Sequence, residues 1–134
     1  MLASGTDKGS KGFNLVKSFL SQLVGMIDID NGDARVVPMT YGSYKATHHF
    51  RFNHPWTVRS LQKHISLQNL GYPVEGTGPN TALALKSIRT EDMRSDRGDR
   101  SRVRNVVLLV YEGHSWNRKA AQVSVQVPSN FFVI

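Results

Sequence analysis

Cysteine is missing from the chain altogether. Its absence excludes a disulfide framework, a thiolate nucleophile and any zinc site built on cysteine. Long apolar runs are missing too. Nothing approaches the roughly 18 residues that mark a membrane span, so no membrane insertion is expected. Met1-Leu2 runs straight into serine and glycine, which does not read as an apolar signal segment. Acidic residues are the minority. Ten Asp and Glu stand against 17 Lys and Arg, for a formal charge of +7. Such a surface favours anionic partners, among them glycans, nucleic acid, anionic lipid and acidic protein. No internal repeat or linker interrupts the chain. Apolar residues make up 40% of the 134 positions, enough to build the core of about one domain.

The apolar residues fall into alternating helical and extended patterns. Phe13, Val16, Leu20, Leu23, Val24 and Ile27 recur at helical spacing and predict a helix over 13–27. "DIDNGD" (28–33) reads as a turn. "ARVVPMTYG" (34–42) reads as a strand in which Pro38 marks a bulge or an irregular position. "KATHHFRF" (45–52) reads as a second strand, paired with the first through a tight connection. A helix is expected from about Thr57, with Val58, Leu61, Ile65 and Leu67 or Gln68 on its inner side. Asn80 is a candidate N-cap for a short helix over "NTALALKSIR". A charged connection (90–104) then leads into "NVVLLVY" (105–111), a continuous apolar run of the kind covered on both faces. "SWNRKAAQVSVQV" (115–127) reads as a helix or an irregular segment, and "NFFVI" (130–134) as a last strand. Strands alternating with helices predict an α/β layered sheet.

Several local patterns invite a chemical reading. Arg94, Arg97, Arg100, Arg102 and Arg104 lie close together, interleaved with Asp96 and Asp99 and preceded by Lys86 and Arg89. Arginine forks suit sulfate, carboxylate and phosphate groups, so this stretch is the candidate polyanion-binding surface; a solvated, self-neutralised loop is the alternative. It contains Arg97-Gly98-Asp99, the tripeptide that many adhesion ligands present to integrins, in a polar loop where exposure is expected. Specific nucleic-acid recognition is not expected, because neither a groove-reading helix nor stacking aromatics on a sheet face stand out. In "HHFRFNH", His48 and His49 should point to opposite faces of a strand, with His48 on the side of Phe50 and Phe52. A zinc site needs three or four converging ligands, so these read as edge-hairpin histidines. "DIDNGD" is not a calcium loop: Gly32 comes one place early and Met39 stands where the twelfth-position glutamate belongs. Ser115 beside His114 has no third partner that would make it a nucleophile–base pair.

Taken together, the order of these segments resembles the von Willebrand factor type A domain of matrilins, collagen VI-like matrix proteins and integrin inserted domains. "GFNLVKSFLSQLVGMIDIDNGDARVVPMTYG" is similar to the family's first helix and second strand, with Ile29, Gly32, Arg35 and Val36 at the joint. "GPNTALAL" resembles its "TNT…AL" segment. "RSRVRNVVLLVYEGHS" resembles the approach to its "TDG.S" loop, and "NFFVI" the strand after that loop. The resemblance covers nearly the whole chain and implies a Rossmann-like three-layer sandwich. Its central sheet would be mostly parallel, with one antiparallel edge strand and helices on both faces. Residues 1–134 would form one domain, incomplete at both ends, because family members carry a longer first strand and further elements after the last one. The resemblance also implies an extracellular, secreted, non-enzymatic module that binds a matrix protein such as collagen, or an acidic glycan. A structural scaffold packing against sister domains or further copies of itself is the alternative.

The resemblance carries a metal site as well. Members that bind through a divalent ion use Asp-x-Ser-x-Ser after the first strand, a threonine in a middle loop and the aspartate of "TDG". Mg²⁺ requires hard oxygen ligands in near-octahedral geometry. An ungapped match anchored on Phe13 places Ala3 at the first aspartate, Gly5 and Asp7 at the two serines, Pro79 at the threonine and Glu112 at the last aspartate. Thr77 and Thr81 flank Pro79. Shifting the match by one residue substitutes Ser4, Thr6 and Lys8, still without a leading carboxylate. A degenerate site is therefore expected, with no cofactor. A residual cation held by Asp7 and Glu112, with Thr77 or Thr81 nearby, is the alternative.

Overall fold

The computed structural model describes residues 2–3, 9–68, 79–110 and 131–133. Within them the order is strand β1 (Leu2–Ala3), helix α1 (Gly9–Val24), strands β2 (Met39–Tyr41) and β3 (Ala46–His48), helix α2 (Val58–Leu67), helix α3 (Thr81–Ser87), and strands β4 (Asn105–Val107) and β5 (Phe131–Val133). β1 lies parallel to β2, with Leu2 opposite Thr40 and Ala3 opposite Tyr41. β3 returns antiparallel on the other side of β2, through a tight turn in which Gly42 N–H donates to the Lys45 carbonyl at 2.9 Å. β4 and β5 form a separate parallel pair.

α2 and α3 each start where a side chain can satisfy a free amide. Thr57 caps α2: its hydroxyl accepts from Ser60 N–H at 3.1 Å while Ser60 Oγ accepts from Thr57 N–H at 2.9 Å, the reciprocal arrangement of a capping box. Asp30, in the turn after α1, accepts from Val58 N–H at 2.7 Å and so ties that turn to the start of α2. Asn80 caps α3 as expected, accepting from Leu83 N–H at 3.0 Å. α3 then widens into a π-helical turn (Ile88–Asp92), where Met93 N–H donates to Ile88 C=O. The wider turn carries both Ile88 and Asp92 inward.

Two apolar clusters hold the layers together. Leu20, Val24, Ile29, Leu61 and Ile65 form the first, between α1 and α2. Met39, Tyr41, Ala84, Leu85, Ile88 and Val107 form the second, under α3. Val107 and Leu109 pack into the second cluster, Leu108 and Val110 against the first. That alternation is what a strand covered on both faces requires, and it puts helices on both sides of this run. The two long helices are also pinned by polar ties. Gln62 Nε2 donates to Ser21 C=O at 2.9 Å, and Lys17 Nζ to the carbonyls of Ser66 and Gln68 at 3.1 and 3.2 Å.

Several expected boundaries are corrected. α1 begins at Gly9 and ends at Val24, four and three residues before the apolar pattern suggests. The strand read over 34–42 shrinks to Met39–Tyr41, because Pro38 cannot donate to a ladder; its carbonyl still accepts from His49 N–H at 3.1 Å. The second strand stops at His48. Leu67 is exposed, so α2 buries only Leu61 and Ile65. The segment read over 115–127 lies outside the described residues. Leu61 is fully buried, so Leu61→Ala should cost about 2–5 kcal/mol in urea unfolding. A loss below about 1 kcal/mol would mean that α1 and α2 do not share a packed core.

Candidate functional site

The positions that the family resemblance assigns to a metal can be compared with the structure in part. Ala3 sits in β1, opposite Tyr41, and offers no side-chain oxygen. Pro79 is buried and has neither hydroxyl nor N–H. Thr81, the nearest described hydroxyl, is buried at the start of α3, with its Oγ1 3.3 Å from the Tyr41 hydroxyl. Asp7, Thr77 and Glu112 lie outside the described residues. Among the described residues no group of three acids or histidines is placed to hold a metal ion.

The arginine stretch follows the π-helical turn and is fastened to its surroundings from both ends. Arg94 pairs with Asp96 through two contacts of 2.9 Å. A 3₁₀ turn (Ser95–Arg97) ends at Gly98, whose φ of 90° lies in the left-handed region. A Cβ at Gly98 would stand 2.6 Å from Asn53 N, so glycine is required there on both counts. Phe52 N–H donates to Arg97 C=O at 3.1 Å, and Arg35 Nη1 to Gly98 C=O at 2.8 Å. Arg100 reaches the turn after α1, donating to the carbonyls of Gly32 and Asp33 at 3.3 and 2.7 Å. Arg102 and Arg104 are exposed. The expectation of an exposed Arg97-Gly98-Asp99 is corrected: all three residues are half-buried. The Asp99 carboxylate accepts from Asn105 Nδ2 at 3.0 Å. Arg35 belongs to this surface although the sequence reading did not include it. Sixty-three positions separate it from Gly98, and no local pattern signals the contact.

A second constellation was not legible in the sequence. His48 Nδ1 lies 2.6 Å from Asp92 Oδ2, and its Nε2 lies 2.6 Å from Ser87 Oγ. Ser87 Oγ in turn donates to Glu91 Oε1 at 3.3 Å. Serine, histidine and aspartate in this order invite comparison with a nucleophile, base and orienting acid. The protons argue otherwise. Asp92 accepts at Nδ1, and the serine proton can serve either His48 Nε2 at 2.6 Å or Glu91 at 3.3 Å; when it serves Glu91, both imidazole nitrogens donate, as in an imidazolium. The hydrogen bond to Asp92 raises the His48 pKa above its usual value; burial opposes this, the Asp92 and Glu91 charges add to it, and Arg97 subtracts from it. An imidazole favoured as a cation is a poor base for the serine proton. The network therefore works as a brace between β3 and the π-helical turn.

On the opposite face, His49 Nε2 lies 3.0 Å from Thr40 Oγ1, and His49 joins Phe50, His54, Trp56 and His64 in a cluster of ring contacts. His48 and His49 thus diverge as strand alternation requires. Phe50 does not share the side of His48 as expected, because β3 ends at His48 and the alternation stops there. Burial lowers the pKa values of His49 and His64, and the neighbouring histidines His64 and His48, for His49, and His54, for His64, add to it.

The sign of the His48 contribution follows from its raised pKa. Its stabilisation is complete below the unfolded value of about 6.5 and is lost as pH rises through the higher folded value. His48→Gln should therefore cost about 1–2 kcal/mol near pH 6 and clearly less near pH 8.5. Comparing wild type and variant at each pH cancels the opposite response of His49 and His64. A penalty that grows with pH would show that His48 is held neutral.

Comparisons with known proteins address the whole chain. The family model of the von Willebrand factor type A domain matches residues 4–131. The collagen alpha-1(XII) chain of Notophthalmus viridescens is 29% identical over 107 residues, covering 80% of this chain and 11% of its own length. The chain thus spans about a tenth of that curated relative. Two structures of proximal thread matrix protein 1 from the mussel byssus superpose with TM-scores of 0.76 and 0.81 at 17% identity. They cover 95% of this chain and 32% and 33% of the mussel chain. A third structure of that mussel protein, with a zinc-occupied MIDAS motif, superposes with a TM-score of 0.74 at 17% identity, covering 95% of this chain and 33% of the mussel chain. At these identities the structural matches speak for the Rossmann-like α/β fold. The family match spans almost the entire sequence, and the chain belongs to the von Willebrand factor type A domain family.

Proposed function

We propose that this domain, read as a single unit over residues 1–134, is an extracellular binding module of a matrix or adhesion protein. Its main contact is with a polyanion such as an acidic glycan, or with a matrix protein such as collagen, and is independent of metal. Membership of the family supports the module, and the matrix relatives support its setting. The observation that carries the binding mode is the arginine surface. Arg35 brings its head group to the stretch that holds Arg97, Arg100, Arg102 and Arg104. Arg94 is partly offset by Asp96, but an exposed pair of this kind is worth only about 0–1 kcal/mol, too little to hold the arginine against a dense polyanion. Within the stretch Arg100 has a second role, since its guanidinium fastens the loop to the turn at Gly32 and Asp33.

Heparin chromatography tests this reading. Arg97→Ser/Arg102→Ser should elute at lower salt than the wild type, with a salt dependence reduced by roughly 1.5 in the log–log slope, as for two lost contacts with a flexible polyanion. Co-elution with the wild type would sink the polyanion reading and favour the structural scaffold, in which the same domain packs against sister domains.

Metal independence rests on the donor set. Ala3 and Pro79 stand at two ligand positions and neither supplies an oxygen, while hard divalent ions need a nearly complete oxygen shell. The zinc in the mussel protein makes the residual Asp7–Glu112 cation site the competing reading. Heparin and collagen binding should persist in EDTA with at most about a twofold change, because phosphate-like and carboxylate groups are held by arginine forks alone. Loss of binding in EDTA, restored by Mg²⁺ or Zn²⁺, would establish the competing reading instead.

A further inference from the structure

The arginine stretch rests on a short segment that is itself held by rings. Phe52 N–H donates to Arg97 C=O at 3.1 Å, and Gly98 packs so closely that a Cβ there would stand 2.6 Å from Asn53 N. Both contacts come from the segment 49–54, which runs on from the end of β3. That segment is joined to α2 through His64. His49 and Phe50 both meet His64 edge-on, with ring centroids 5.1 and 5.2 Å apart, and Phe50 lies 4.1 Å from His54. Trp56 closes the group against Phe50, His54 and His64.

The cluster suits neutral imidazoles. Gln68 Nε2 lies 2.9 Å from His64 Nε2 and 3.2 Å from His64 C=O. An amide nitrogen only donates, so His64 Nε2 is the acceptor. A proton there would set two donors face to face. Even Trp56 Nε1, buried in the same group, has no acceptor among the described residues. His49 Nε2 meets Thr40 Oγ1 of β2 at 3.0 Å. The charges that bear on the pair come from other histidines: His64 and His48 act on His49, and His54 acts on His64. Two imidazolium rings this close repel each other, and burial adds a desolvation cost to each.

We infer that His49 and His64 form an acid-sensitive latch for the arginine stretch: their ring contacts hold the segment 49–54 against Arg97 and Gly98, and protonation of the pair releases it. The surface is thus preorganised at neutral pH and loosened in acid. Burial, and then the neighbouring histidines, hold both groups below their ordinary value. The latch is therefore at full strength above about pH 6.5 and is lost as pH falls through the lower folded values. His48 acts in a different window, because its raised pKa leaves its brace complete below about pH 6.5. The inference rests on the proposed function for its consequence, but hydrogen exchange reads the latch without any polyanion, so the two can fail separately.

The test follows amide exchange by NMR in the whole chain. Corrected for the intrinsic rate, protection of the Phe52 amide should fall about tenfold between pH 6.5 and pH 5. The Ala34 amide, which donates to Asp28 C=O in the turn after α1, should keep its protection. His49→Phe/His64→Phe retains rings at both positions without a titrating nitrogen, and should hold Phe52 protection level over the same range. His64→Phe alone should leave about a threefold fall, which keeps the test open if the double variant does not fold. Unchanged Phe52 protection in the wild type overturns the latch. An equal loss at Ala34 also overturns it, since that would be general acid unfolding. A tenfold fall that persists in either variant would assign the response to another group.

Discussion

Val107 and Leu109 pack under α3, while Leu108 and Val110 pack beneath α1 and α2. This opposed burial is the constraint that the other elements answer. A run that is apolar on both sides is stable only with a helical layer over each, and the two clusters are those layers. The polar ties serve the same end. Asp30 links the turn after α1 to the start of α2, Gln62 and Lys17 fix the crossing of the two helices, and His48 fastens the edge strand to the π-helical turn. Removing the burial would leave these contacts nothing to align.

The sequence reveals the parts of this arrangement that depend on neighbours in the chain. Apolar spacing locates α1, α2 and the β4 run, and Asn80 announces α3 because a cap acts within three residues. Boundaries fare worse where a local rule competes with the pattern. Pro38 truncates a strand that alternation alone would extend, and the helical pattern of α1 starts late because Gly9 to Gly12 carry no apolar signal. The brace among His48, Ser87 and Asp92 was not legible. Its partners are 39 and 44 positions apart, and aspartate on a π-helical turn faces inward only because that turn is wide. Of the candidate site, the arginines were visible as a cluster of charge. That Arg100 clasps the turn at Gly32 and that Arg35 joins the stretch depend on tertiary placement, which spacing does not encode.

Family membership and charge point the same way without depending on each other. The family match accounts for the α/β fold, and the excess of basic residues is the basis of the proposed affinity toward anions. The proposed independence of metal rests on Ala3 and Pro79, which supply no side-chain oxygen at the positions that the family resemblance assigns to an ion. The histidine pair shows how finely one short strand partitions its environment. His48 meets carboxylates and is favoured as a cation, whereas its neighbour His49 meets rings and other histidines and is favoured neutral.

Gly98 has a further consequence. Its left-handed turn against Asn53 belongs to a backbone that is already fixed. Arg97 and Asp99 N–H donate to Arg94 C=O, Gly98 N–H to Ser95 C=O, and Val103 N–H to Arg100 C=O. The arginine stretch is therefore a loop in outline and a rigid platform in its main chain. A ligand that docks on it has only side chains to immobilise, at about 0.5–1.5 kcal/mol each, and no backbone disorder to remove. Preorganisation of this kind favours tight contact from few residues, and it rests on the left-handed backbone that Gly98 allows.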